Sequence, residues 1–143
     1  MEGNGDTRAR FHLAMPVDDL VEARRFYGEV LGLTQGRSSD TWVDWNFYGH
    51  QVVTHLAPGR VDGIHNPVDG HDVPVPHFGL ILSIPDFHAL AARLRAAGVT
   101  FVIDPYVRFA GEVGEQWTMF LLDPAANALE FKAFADDSQI FAA

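Results

Sequence analysis

The chain has 143 residues, 48% of them hydrophobic, no cysteine and a formal charge of −9. This length suits one domain with a real core. Without cysteine, disulfides and thiolate metal sites are excluded, so any metal must be held by nitrogen and oxygen. No block of lysine and arginine and no apolar run of about 18 residues is present, so we expect neither nucleic-acid nor membrane partners. The polar, acidic start lacks the pattern of a signal peptide, which predicts a cytoplasmic protein.

The first half of the chain carries a strand, a helix and a hairpin after a polar start, residues 1–9, that is predicted to be flexible. Asp18 and Asp19 precede an apolar stripe at helical spacing, where an N-cap and a first-turn acid are favourable. Gly32 is suited to end this helix. The predicted elements of this first module, residues 10–57, are a strand over 10–17, a helix over 18–31 and a hairpin of 41–47 with 51–56.

The second half repeats the theme after a stretch rich in proline and glycine, residues 58–76, which is predicted as a linker rather than another element. The predicted elements of the second module, residues 77–134, are a strand over 77–84, a helix from Pro85 to Ala97, a strand over 100–103, a polar loop over 108–116 and a hairpin of 117–122 with 128–134. Residues 135–143 form a predicted tail. Both modules are therefore predicted as βαβββ units of a single α+β domain.

The histidines that open the two modules point to a shared site. His12 and His77 are 65 residues apart, and the glycines that end the two helices, Gly32 and Gly98, are 66 apart, which indicates an internal duplication. Paired modules can bring equivalent residues together, and Glu130 lies near the end of the second module. Two histidines and a carboxylate are the ligand set of non-haem Fe(II) sites, and the same set can hold Zn, Mn or Ni.

Two further segments carry a family resemblance. They are Phe26-Tyr27-Gly28-Glu29-Val30-Leu31-Gly32 in the first helix and Leu122-Asp123-Pro124-Ala125-Ala126-Asn127-Ala128-Leu129-Glu130-Phe131 in the final hairpin. They resemble motifs of the vicinal oxygen chelate superfamily, which includes glyoxalase I, extradiol dioxygenases, fosfomycin-resistance enzymes and bleomycin-binding proteins. The resemblance spans about residues 10–134 and departs at Ala126, where the family usually has glycine. It implies that the two modules form a curved mixed sheet around a metal-binding cleft.

The resemblance also implies a ligand set for that cleft. His12 stands at the ligand position of the first module, His77 at its equivalent in the second, and Glu130 at the carboxylate position of the last strand. Family members with four protein ligands take one more from the last strand of the first module. Here that position, equivalent to Glu130, falls on Val53, which favours three protein ligands and open positions for substrate oxygens.

Other residues are candidates for substrate contact or proton transfer. His55 shares strand parity with Gln51 and is either a catalytic acid or base, a substrate contact, a replacement ligand or a solvent-facing histidine. Arg108 is a candidate anion-binding residue beside a polar loop. Core packing alone explains some of the aromatic residues, but several are expected to line an aromatic pocket. The expected substrate-binding residues are Gln51, Trp42, Trp45, Phe47, Tyr106, Arg108 and Trp117.

The resemblance leaves three classes of function open. The first is an Fe(II) extradiol-type dioxygenase that acts on a catechol-like aromatic or other vicinal-oxygen substrate. The second is a glyoxalase I-like lyase or isomerase with Zn, Ni or Mn, and the third is a protein that sequesters a drug without chemistry. The ligand trio favours an enzyme over a sequestering protein. A homodimer is expected, because paired half-barrel modules expose sheet edges and aromatic residues.

Overall fold

The computed structural model describes residues 8–57 and 64–143. The chain divides into two compact units, Met1–Pro58 and Gly59–Ala143. Each unit contains one four-stranded sheet, and the second unit also contains a two-stranded hairpin. In the described part of the chain, no helix has the length and apolar character needed to cross a membrane.

The first unit is a mixed sheet with one helix on one face. Its elements are β1 (His12–Val17), α1 (Leu20–Arg24), which continues as a π-helix (Arg25–Val30), β2 (Thr34–Ser38), β3 (Trp42–Phe47) and β4 (His50–Leu56). The strand order is β1-β4-β3-β2, with β1 parallel to β4 and the other pairs antiparallel. The pleat therefore sends alternate residues of each strand toward the helix or away from it.

The helix of the first unit begins and ends at the predicted signals. The Asp19 carboxylate accepts hydrogen bonds from the backbone N–H groups of Val21 and Glu22, at 2.8 and 3.3 Å. Gly32 has a φ of 74°, a conformation that costs glycine little. The predicted uniform α-helix is wrong in its second half, which is a π-helix. There Gly28 lies against the Trp45 indole, and a Cβ at this glycine would stand 3.3 Å from the ring.

The second unit has the same order of elements after an extra hairpin. Its elements are β5 (Ile64–Val68), β6 (His71–Val75), β7 (Phe78–Ile81), α2 (Ile84–Ala96), β8 (Phe101–Arg108), β9 (Gln116–Leu122), β10 (Ala128–Phe134) and a 3₁₀ turn (Asp137–Gln139). The four-stranded sheet has the order β7-β10-β9-β8, with β7 parallel to β10. Ser83 caps α2 through the Asp86 N–H.

Both faces of the second sheet are partly covered. On one face, α2 packs its apolar stripe on the central strands. The fully or nearly fully buried residues of this layer are Phe87, Leu90, Ala91, Leu94, Met119, Leu121, Leu129, Phe131 and Ala133. On the other face, Val73 of β6 forms a smaller core with Ile103, Phe120 and Ala128. Residues of the extra hairpin therefore belong to the structure of this unit.

The hairpin corrects the expectation of a linker over residues 58–76. Residues 58–63 lie outside the described part of the chain, but β5 and β6 pair antiparallel from Ile64↔Val75 to Val68↔His71. Asp69 and Gly70 form the turn with positive φ values of 49° and 80°. An Asp-Gly pair with both φ values positive is the preferred two-residue hairpin turn. The Asp69-Gly70 pair was not interpreted as a hairpin turn because the prolines around it favoured a linker.

The repeat in the sequence is confirmed as a repeat in the structure. Both units have the predicted βαβββ order in an α+β fold, although β2, whose residues are all exposed, was not located by its pattern. In the first unit Ala14 pairs with Val53, and in the second Gly79 pairs with Glu130. Because Ala14 and Gly79 have the same spacing as His12 and His77, Val53 is the structural equivalent of Glu130.

Replacing Gly79 with alanine should destabilise the second unit. A Cβ at this position would lie 1.5 Å from the Glu130 carbonyl oxygen, so β7 and β10 would have to separate. We expect the free energy of unfolding to fall by about 3 kcal/mol or more, measured by urea denaturation. Gly36→Ala is the matched control, because its Cβ would meet Asp44 Cβ at 3.4 Å. Equal losses in the two variants would contradict this account.

Candidate metal and substrate site

The Glu130 carboxylate lies on the face of β10 opposite α2. Its neighbours Leu129 and Phe131 are fully buried against the helix, so the two-residue period of the strand turns Glu130 to the other face. The side chain is only 14% exposed. Thr118 Oγ1 donates a hydrogen bond to Oε2 at 3.1 Å. A carboxylate this buried requires positive partners or further donors.

The His77 imidazole is oriented toward this carboxylate. Nδ1 lies 2.9 Å from the Pro74 carbonyl oxygen, which can only accept, so Nδ1 carries a proton. Nε2 lies 3.6 Å from Glu130 Oε1. The ring also packs edge-on against Phe120, with centroids 5.0 Å apart. With Nδ1 protonated, a neutral ring carries its lone pair on Nε2, the ring nitrogen near Oε1, so a metal ion bound between these two atoms would be a favourable partner for both.

Lys132 places an ammonium group beside Glu130. It follows Glu130 by two residues on β10, so it projects from the same face, and its Nζ lies 3.6 Å from Oε1. His77, Glu130 and Lys132 line one cavity of about 200 Å³. The remaining wall is backbone and apolar side chain from β7, including Gly79. The cavity therefore combines one carboxylate, one imidazole and one ammonium group.

In the first unit, His12 has the same hydrogen-bonding arrangement as His77. Its Nδ1 lies 2.7 Å from the side-chain oxygen of Gln51, its partner across the β1–β4 pair. An amide oxygen accepts, so Nδ1 carries the proton and Nε2 retains its lone pair. Such a bond on the far nitrogen is typical of metal-binding histidines, because it fixes the tautomer and the ring orientation.

His77 and Glu130 come together in the second unit, whereas His12 belongs to the first. Within residues 8–57 and 64–143, no group of three or more His, Asp or Glu side chains is arranged to hold a metal ion. The three-ligand set therefore stays a prediction. The donors themselves suit a divalent metal, since both histidines hold Nδ1 protonated and direct Nε2 away from their hydrogen-bond partners.

Comparison with known proteins places the chain in a family. The Glyoxalase/Bleomycin resistance protein/Dioxygenase superfamily matches residues 10–131. This chain belongs to that superfamily. A crystal structure of the glyoxalase/bleomycin resistance protein/dioxygenase from Alicyclobacillus acidocaldarius is 32% identical, with a TM-score of 0.79, over 99% of this chain and 100% of that one. The predicted resemblance is thereby confirmed.

Proteins of lower sequence identity share the fold. The fosfomycin resistance protein FosX from Listeria monocytogenes is 14% identical, with a TM-score of 0.69, over 93% of this chain and 98% of that one. Virulence protein STM3117 from Salmonella typhimurium is 24% identical, with a TM-score of 0.62, over 90% of this chain and 97% of that one. No protein of curated function matches the chain.

The β4 strand of this superfamily member places Gln51 and His55 on the same face as His12. The side-chain oxygen of Gln51 is the hydrogen-bond partner of His12, as described above, and the predicted contact of Gln51 with substrate stays a prediction. His55 is exposed and pairs with Pro16, four residues further along β1 than His12. At about 3.3 Å per residue the two positions are about 13 Å apart. This separation argues against His55 as a ligand beside His12, and its catalytic role stays a prediction.

Three of the four tryptophan and phenylalanine residues expected in a substrate pocket are instead packing residues. Trp45 and Phe47 are 2% and 3% exposed and face α1, because they share strand parity with the fully buried Val43. Trp117 packs against α2, with its ring 4.7 Å from the His88 ring. All three lie on the helix side of their sheets, so their assignment to the pocket is corrected. Trp42 faces the other side and is half-buried.

Tyr106 and Arg108 lie on the Glu130 face of the second sheet and meet Asp69 from the β5–β6 turn. Tyr106 pairs with Thr118, the donor to Glu130. The Tyr106 hydroxyl donates to the Asp69 carboxylate, and Arg108 Nε donates to the same oxygen at 2.7 Å. The Arg108 charge is thus already paired, which weakens its predicted role in binding a substrate anion.

The sequence reasoning missed two polar residues on this face. Asp69 is the first, and the Asp-Gly turn is the signal that would have found it. Gln116 is the second: it is 6% exposed, and its Oε1 has no hydrogen-bond partner among the described residues. Its register partner Arg108 lies across the β8–β9 pair. A buried acceptor of this kind is available to a ligand or an ordered water.

Replacing Asp69 with asparagine should lower the pKa of Tyr106. Burial, and then the hydrogen bond to Asp69, raises the pKa of this phenol to about 12. Without the carboxylate, the pKa should fall but stay above its ordinary value of 10, because burial remains. Ultraviolet titration of phenolate absorbance measures it, with Tyr106→Phe to subtract the other tyrosines.

The same variant should change alkaline stability. Because the folded-state pKa of Tyr106 is raised, the stability it contributes is complete below pH 10 and is lost as the pH rises through about 12. The loss over this window should be smaller in Asp69→Asn, since its folded-state pKa lies nearer to 10. Asp104→Asn, at an exposed position on β8, is the control. An unchanged Tyr106 titration in Asp69→Asn would rule out the hydrogen bond.

Proposed function

We propose that this superfamily member is a metal-dependent enzyme, and specifically an Fe(II) extradiol-type dioxygenase acting on a catechol-like, vicinal-oxygen substrate. The observation that carries the proposal is the approach of His77 Nε2 to Glu130 Oε1, at 3.6 Å, with Nδ1 already bonded to a carbonyl. A metal ion satisfies both atoms, and two histidines with one carboxylate form the facial set of non-haem Fe(II) oxygenases.

His12 is the proposed third ligand. Its equivalence to His77 in the repeat and its Nδ1 bond to Gln51 support the assignment. The duplicated architecture allows His12 to come from the same chain or from a second copy in the proposed homodimer. Val53 is the equivalent of Glu130 in the first unit and offers no donor, so the protein would supply three ligands and leave positions for substrate oxygens.

Neighbouring residues hold the proposed ligands in fixed orientations through hydrogen bonds. A bound divalent metal would supply Lewis acidity to the chelated substrate oxygens. The Pro74 carbonyl and the Gln51 amide fix the two imidazole rings, and Thr118 holds the second carboxylate oxygen of Glu130. These contacts keep the donor atoms in place before substrate arrives, which is the preorganisation that a site of this kind requires.

The same donors support a second candidate function. A glyoxalase I-like lyase or isomerase would use Zn, Ni or Mn in an equivalent histidine and carboxylate set. It would also need a base near the substrate carbon, for which His55 on the His12 face is the candidate. The metal present and the requirement for oxygen distinguish the two reactions. A drug-sequestering role would need neither the trio nor its orienting contacts.

Variants of the three proposed ligands should lose metal while keeping the fold. We expect His12→Ala, His77→Ala and Glu130→Gln each to lower metal content at least about tenfold, because each removes a direct donor. Mass spectrometric metal analysis of protein purified without oxygen, with circular dichroism as the fold check, makes the measurement. His88→Ala is the matched control, since His88 lies on α2 against Trp117.

The same preparations decide between the reactions. Bound iron with oxygen uptake on addition of catechols would support the dioxygenase. Zinc, nickel or manganese without oxygen uptake would instead support the glyoxalase-like enzyme. Full metal occupancy in any one ligand variant would remove that residue from the proposed site, and full occupancy in all three would overturn the metal centre.

His55→Gln should keep the metal and lower turnover by about 100-fold, the usual scale for a lost general acid or base. The metal should stay because His55 stands about 13 Å along the strand from the position of His12. Turnover should fall because His55 faces the same side of β4 as Gln51 and is the histidine proposed to carry a proton rather than to bind the metal. Steady-state kinetics beside metal analysis makes the measurement. Unchanged turnover would return His55 to a surface role, and loss of metal would identify it as a ligand.

A further inference from the structure

We propose that Lys132 binds an anionic substituent of the substrate, outside the pair of oxygens that chelate the metal. The substrate class would then be a catechol-type compound that carries a carboxylate or similar anion, rather than a neutral one. This inference rests on the proposed function, because it assigns the substrate class of the same site.

The position of Lys132 supports this role. Lys132 is the sole lysine of the chain, and it projects into the cavity that also contains His77 and Glu130. Its side chain is 32% exposed, so the ammonium group reaches the cavity without being sealed in the core. The formal charge of the whole chain is −9, which disfavours the approach of anions. A local cation is therefore needed if the ligand is anionic.

The ammonium group has donors available for a ligand. Its contact with Glu130 Oε1 is 3.6 Å, whereas a charge-assisted hydrogen bond between nitrogen and oxygen measures about 2.7–2.9 Å. The contact is therefore an electrostatic one, and it leaves the three N–H donors of the ammonium group unused at that oxygen. Arg108, the other cation on this sheet face, already donates to Asp69 at hydrogen-bond length.

Metal binding would increase the positive charge near Lys132 and so favour an anionic substituent of the substrate at this position. The one negative charge of Glu130 stands near His77 and Lys132, and a divalent ion coordinated by Glu130 would add two positive charges beside the ammonium group. Glu130 cannot neutralise both. A chelating substrate supplies negative charge to the metal, and a second anionic group placed at Lys132 would supply it to the ammonium group. A neutral substituent at this place would leave the ammonium group without a new partner.

A pair of catechols with the same chelating hydroxyls tests the proposal. The probes are 3,4-dihydroxybenzoate, which carries a carboxylate, and 4-methylcatechol, which does not. Their dissociation constants are measured by calorimetry on Zn²⁺-loaded protein for wild type, Lys132→Met and Lys132→Arg. Arg95→Met is the matched control, because it removes one positive charge from α2, where Arg95 lies over the Phe101 ring at 5.9 Å. Zn²⁺ affinity is measured first in every variant.

We expect Lys132→Met to weaken 3,4-dihydroxybenzoate roughly tenfold or more, the scale of a lost hydrogen bond to a charged group, and to leave 4-methylcatechol unchanged. Lys132→Arg should restore much of the loss. Equal weakening of both probes, no weakening of either, or loss of Zn²⁺ in Lys132→Met would overturn the role of Lys132. Failure of wild type to bind Zn²⁺, or to bind either catechol when loaded, would instead overturn the proposed function and the inference with it.

Discussion

The buried carboxylate of Glu130 is the constraint on which the second unit depends. A carboxylate with 14% of its side chain exposed needs donors and positive charge around it. Thr118 supplies a hydrogen bond and Lys132 a positive charge, and His77 Nε2 lies 3.6 Å from the carboxylate. The close approach of β7 to β10 at Gly79 is what brings the strand that follows His77 beside this carboxylate. Any larger residue at Gly79 would separate the strands that define the site.

His12 and His77 occupy equivalent positions of the repeat, but their rings are oriented by different hydrogen-bond partners. His77 is oriented by a backbone carbonyl from Pro74, and His12 by the side-chain oxygen of Gln51. In both rings Nε2 keeps its lone pair and is the nitrogen that a metal ion could bind. The repeat is nevertheless asymmetric in its chemistry, because the position of Glu130 is occupied by Val53 in the first unit. The carboxylate is therefore present in the second unit alone of these two equivalent positions.

The β5–β6 hairpin gives the Glu130 face its second layer. Val73 contributes to the apolar core beside Phe120, which in turn supports the His77 ring. At the turn, Asp69 binds Tyr106 and Arg108. A segment that composition marks as a linker therefore contributes both apolar and charged contacts to this face of the sheet. The aromatic residues that composition places in this pocket lie mainly in the helix-side cores instead.

The sequence by itself determined the repeated βαβββ order, the family, the residues at the two ends of the first helix, and the equivalence of Val53 with Glu130. Each of these follows from local spacing, from Asp19 and Gly32 at the helix ends, or from register counted along the chain. Only the tertiary structure decided which face each strand residue occupies. Trp45 and Trp117 pack under helices because strand parity and helix placement act together, and aromatic composition carries neither. Tertiary contacts also decided the tautomer of His77 and the pairing of Arg108 with Asp69. These contacts join residues on separate strands or at a turn, and no local pattern encodes that geometry.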